Sequence, residues 1–131
     1  MTPSELLAAA RNVLGHRDPI GGWARAVALL ARQGLETGLE EFWATRPTTI
    51  QLRDCSRKAQ FACLPFYLDP ELAHETSYVW AALSNACHYH PFDLAPTAAE
   101  LAGWIDDVAR FLAAASGQMP VISEFKLPRA R

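Results

Sequence analysis

The sequence predicts an all-α fold, an antiparallel bundle of four to five helices. Three observations carry that prediction. Apolar residues recur at three- and four-residue spacing in segment after segment. Short breaks containing proline or glycine separate those segments. No stretch shows the apolar–polar alternation of a half-buried strand, and there is no internal repeat. Helices joined by short loops pack as antiparallel neighbours.

The first helix is expected over residues 3–14, with Thr2 as its cap, Pro3 at its first position and Gly15 as its stop. Leu6, Leu7, Ala10, Val13 and Leu14 form its apolar stripe. A loop over residues 16–22 follows. The second helix spans 22–44, where Trp23, Val27, Leu30, Leu35, Leu39 and Phe42 recur at helical spacing. Gly34 and Gly38 lie one turn apart within it. Either another helix packs closely on them, or the surrounding contacts tolerate them. A third helix is expected over 49–64, ended by Pro65. A fourth spans 70–87, with Asp69 as cap and Pro70 at its first position. The fifth spans 97–115 and opens on Thr97-Ala98-Ala99-Glu100, the spacing of a capping box. Leu101, Trp104, Ile105, Val108, Phe111 and Leu112 form its stripe, and Gly117 ends it. Trp23, Leu30, Leu39, Leu83, Trp104, Ile105 and Val108 are the expected core.

The 131 residues fit one domain, large enough to bury a core without a disulfide or a metal staple. The bundle is expected over 1–117. An extended or mobile tail is expected over 118–131, where Val121, Ile122, Phe125 and Leu127 also suit a packed segment or a partner contact. Half the residues are apolar and 20% are charged, which argues against wholesale disorder. A formal charge of −2 excludes a globally basic surface, although not a local basic patch. The first residues lack the basic start of a secretory signal, and no apolar run reaches the ~20 residues of a membrane span. The expected setting is the cytoplasm, away from membranes. Cys55, Cys63 and Cys87 are odd in number and form no C-x-x-C pair, so they read as reduced thiols.

Cys87-His88-Tyr89-His90 is the densest group of chemically capable side chains. A metal site there would join His88 and His90 to Cys55, Cys63 or His74, but the spacing does not suit one helical face. No metal and no cofactor is expected. Histidines at a helix C-terminus have a simpler use, since they meet the last carbonyls and the negative end of the dipole. Arg53, Arg57 and Lys58 gather on the expected third helix, the two arginines one turn apart. They form a candidate phosphate-binding patch for nucleic acid, or else a solvated helix face. Arg32 and Glu36 are an i,i+4 pair. Asp106 and Asp107 diverge around their helix and do not suit a paired-carboxylate site.

The segment Trp80 to Leu112, WAALSNACHYHPFDLAPTAAELAGWIDDVARFL, resembles the end of HEPN domains. The second helix, RAVALLARQGLETGLEEFW, is similar to the long helix that precedes it there. The resemblance implies a small helical bundle of the kind found in prokaryotic toxin–antitoxin and defence proteins. Active members are metal-independent ribonucleases that use an Arg/His motif, paired by dimerisation. It implies His90 as the motif histidine, with His88 as the other register and Asn85 in the Arg/Asn part of the motif. The arginine position itself falls on Leu83, Ser84 or Asn85, and in the other register on Ala81, Ala82 or Leu83. None of these carries a permanent charge or a fork of donors. The expectation is a HEPN-like module that pairs with itself, or binds a protein or RNA, with little or no catalysis. Trp80, Tyr89 and Phe92 would lie at the dimer contact, its axis near His88–Phe92. One alternative is a ribonuclease with a displaced arginine, Arg53 or Arg57. Another is a helical regulatory protein outside that family.

Overall fold

The computed structural model describes residues 1–17, 21–46, 51–88 and 94–117. Five α-helices stand among them: α1 (Pro3–Gly15), α2 (Trp23–Ala44), α3 (Arg57–Cys63), α4 (Pro70–Cys87) and α5 (Ala98–Ala115). The described residues contain no strand. The expected tail lies outside them.

Four helices begin and end close to where the sequence puts them, and local chemistry explains why. Thr2 and Thr97 each accept a hydrogen bond from the backbone N–H three residues on, at 3.1 and 3.0 Å, while Glu5 and Glu100 reach back to the cap's own N–H. Gly117 follows α5 at φ +84°, the left-handed conformation that closes a helix without strain only for glycine. Two details differ from expectation. Gly15 continues α1 rather than stopping it, and Asp69 opens α4 without a side-chain hydrogen bond.

The third helix is the larger correction. In place of one continuous helix there is a 3₁₀ turn at Leu52–Asp54, a break, the seven-residue α3, and a second 3₁₀ turn at Leu64–Phe66. Cys55 and Ser56 adopt extended backbone at the break, and the Ser56 hydroxyl accepts from Ala59 N–H at 3.1 Å. Serine favours this capping role over a helix interior, so it restarts the helix at Arg57.

α1, α2, α4 and α5 form an up-down-up-down bundle. Glu36 of α2 meets Trp80 of α4, and Arg32, one turn earlier, meets Cys87 further on, so α2 and α4 run antiparallel. Arg11 of α1 pairs with Asp106 of α5, and the start of α1 shares a cleft with Ala115 and Ser116. α1 is thus antiparallel to α5. The start of α4, from Asp69 to Glu75, shares a depression with Arg110 and Ala114 near the end of α5, so α4 is antiparallel to α5 as well. α2 and α5 therefore run parallel, and they touch across the bundle diagonal.

Glycine makes that diagonal contact close. A Cβ on Gly38 would collide with the end of the Leu112 side chain. One turn away, a Cβ on Gly34 would sit 3.2 Å from the Pro3 carbonyl of α1. Of the two readings left open for these glycines, close helix packing is the one observed. Around them Leu35, Leu39, Phe42, Leu83, Leu101, Ile105, Val108 and Phe111 are buried. Each such side chain contributes ~1.5–3 kcal/mol relative to exposure. Trp23, Leu30 and Trp104 pack against this core while remaining half-buried.

Candidate functional site

The basic residues of the candidate patch fall on separate elements. Arg53 lies in the first 3₁₀ turn, whereas Arg57 opens α3 beyond the break, so they do not share a helical face. Arg57 donates to Glu40 Oε2 at 2.7 Å and to Gln60 Oε1 at 3.2 Å, and its Nε lies 3.8 Å from Glu36. Arg53 is exposed beside Glu40, Glu41 and Asp54 in a shallow surface depression. Lys58 is exposed. The patch is thus a mixture of both signs.

Glu36 organises a polar network that sequence reasoning saw only in part. Its Oε2 accepts from Arg32 Nε at 3.1 Å, the expected i,i+4 pair, and from the Trp80 indole N–H at 2.8 Å. Burial works against the Arg32 charge, but the hydrogen bond and the field of Glu36 outweigh it and hold the guanidinium more firmly protonated. The Cys87 side chain lies near Arg32 and adds a smaller contribution in the same direction. Gln60, fully buried, donates to the Cys55 carbonyl at 2.9 Å. The network clasps α2, α3 and α4 together. The 44 residues separating Glu36 from Trp80 hid it from local patterns.

Of the motif positions, Asn85 is exposed near the end of α4 and His88 caps that helix through its backbone N–H, which bonds Asn85 O at 3.1 Å. His90, Tyr89 and Phe92 lie outside the described residues. Leu83 is fully buried, whereas Ser84 is partly buried, with a hydroxyl shielded from solvent. Among the described residues, Arg32 lies near this end of α4, beside Cys87, whereas Arg57 does not. Arg57 meets α2 at Glu36, the level of Trp80, which is eight residues from His88 or ~12 Å along the helix. Cys55 and Cys63 are partly buried and Cys87 is buried. Among the described residues no three metal-ligating side chains gather, and no helix is long and apolar enough to cross a membrane.

The outer face of α4 stands out. His74, Tyr78, Ala81, Asn85 and His88 are all exposed and follow one another at alternating four- and three-residue steps. At 100° per residue they fall within one narrow stripe, opposite the buried Val79, Leu83 and Cys87. Tyr78, near its centre, is 68% exposed. Phe66 just before α4 and Leu94 after it are 84% and 95% exposed. The signal was available in the sequence. From Thr76 to Phe92, 17 residues, there is no Asp, Glu, Lys or Arg. A solvated helix face ordinarily carries charge.

Fold and surface together define an all-helical bundle protein whose fourth helix presents an exposed stripe, His74 to His88, that bears an aromatic ring and no Asp, Glu, Lys or Arg. No protein-family model, curated protein or solved structure matches the chain.

Proposed function

We propose that the chain is a HEPN-like interaction module that pairs with a second copy of itself through α4 and does not cleave RNA on its own. The uncharged exposed face of α4 carries this reading. Interface centres are depleted in charge and enriched in aromatic side chains, because burial there removes apolar area from water without stranding an ion. The basic patch gives little support to RNA binding, since carboxylates adjoin Arg53 and Arg57. The HEPN likeness rests on the Trp80–Leu112 segment and the helical architecture.

A second reading, a metal-independent ribonuclease, draws on Arg32 beside Cys87 at the end of α4. Cleavage needs a base for the attacking hydroxyl and a fixed cation for the developing charge. In that reading His90 or His88 is the base and Arg32 the displaced cation.

Light scattering across the micromolar range tests the first reading, with a dimer expected and a monomer throughout counting against it. Incubation with single-stranded RNA, with and without chelator, separates the two. The RNA is expected to stay intact. Cleavage that survives chelator and disappears in both His90→Ala and Arg32→Ala would establish the second.

A further inference from the structure

We infer that two copies pair through α4 in antiparallel fashion, with the two-fold axis passing beside Ala81. The inference rests on the pairing proposed above and adds its geometry. Taken as offsets from Ala81, the exposed stripe reads His74 at −7, Tyr78 at −3, Asn85 at +4 and His88 at +7. That series is nearly symmetric about its smallest member. An antiparallel copy therefore sets His74 opposite the partner's His88, and Tyr78 opposite the partner's Asn85. Each aromatic ring meets an amide, and no formal charge on the stripe meets its like.

Size and charge favour a second copy as the occupant. Ala81 lets helix axes approach to the ~8–10 Å of ordinary helix packing, which a longer central side chain would prevent. Antiparallel pairing also sets the two helix dipoles in opposition, which avoids the like-end repulsion of a parallel pair. Exposed Glu71, in the first turn, lies on the side of that N-terminus and is brought within a turn of the partner's His88. Glu75 and Arg110, on the α5 flank, already pair with each other and stand clear of the stripe. The contact runs from His74 to His88, ~21 Å of helix. A strip of that length is small against the ~1,200–2,000 Å² of standard complexes, which places the pair among the smaller, transient associations.

The register has a chemical corollary. The two α4 C-termini lie on opposite sides of the axis, each His88 ~10 Å along the helix from Ala81. The two histidine ends then do not converge on one phosphate, in contrast to an axis near His88–Phe92.

Cysteine cross-linking tests the register in the full chain, carrying Cys55→Ser and Cys63→Ser to remove the partly exposed thiols. A residue on a two-fold axis meets its own copy, and helices ~10 Å apart leave Cα atoms there within the ~4.4–6.8 Å a disulfide needs. Ala81→Cys is expected to form a covalent dimer under mild oxidation. His74→Cys alone is expected to form no covalent dimer, but to link when mixed with His88→Cys. Ala81→Arg is expected to weaken association by more than about tenfold, since it would hold a guanidinium without a partner in the contact. Its circular dichroism should be unchanged, because the site is exposed. A light-scattering dimer that cross-links through His88→Cys alone but not Ala81→Cys overturns the register and leaves pairing intact. A monomer at every concentration overturns both.

Discussion

The seam between α2 and α5 and the outer face of α4 use the same device to opposite ends. Each places small residues in a helix so that a neighbour can come close. At the seam the neighbour is already there, with Leu112 and Phe111 lying against Gly38 and Pro3 of α1 against Gly34. On α4, Ala81 faces outward between Tyr78 and Asn85. The contrast teaches that spacing alone marks a helix face as suited to contact, and only the packed structure tells which faces are still uncovered.

Substitutions at the two places should separate stability from association. The largest effect belongs to the seam. Phe111→Ala removes a fully buried ring that packs 6.1 Å from Phe42, centroid to centroid, and is expected to cost about 3–5 kcal/mol in urea unfolding. Glu36→Ala comes next. It strips the Trp80 indole and Arg32 of their acceptor, and the unmet partners are expected to cost about 1–3 kcal/mol. Thr97→Ala breaks the α5 capping box, with an expected loss of about 1 kcal/mol. The smallest stability change is expected for Tyr78→Ser, within about 0.5 kcal/mol, because the ring is exposed in the single chain. The same variant should nevertheless shift the light-scattering midpoint to higher concentration. If Tyr78→Ser instead destabilised the chain as strongly as Phe111→Ala, the distinction between the two surfaces would fail.

Where structure follows from neighbours in sequence, it was readable. The capping box at Thr97, the stripe of α5 and the Arg32–Glu36 pair all act within one turn of helix. Thr2 and Glu5 form an identical box at the start of α1, by the same local chemistry. The break at Cys55–Ser56 went unread because the apolar spacing of Leu52, Cys55, Ala59 and Ala62 runs straight through it, and a single serine hydroxyl decides the matter. Relations between distant residues were the least accessible. Nothing in the run around Arg57 announces Glu40 across the fold, and nothing near Trp80 announces Glu36. The candidate surface was missed for another reason. The histidines of α4 are conspicuous in the sequence, whereas the informative feature is the absence of Asp, Glu, Lys and Arg from residue 76 to residue 92.

The amide of Gln60 bears on the order in which the molecule opens. α3 is one short helix of seven residues, below the length at which an isolated helix holds together in water. Gln60 and Phe61 are the side chains of α3 that are buried, and Arg57 is tied down by carboxylates of α2. The segment thus borrows its rigidity from a few attachments. Backbone amides of α3 should exchange with deuterated solvent through small local excursions, while those of α2 wait for the whole bundle to come apart. Added salt, which screens the Arg57 pairs, should speed the first process and leave the second nearly untouched.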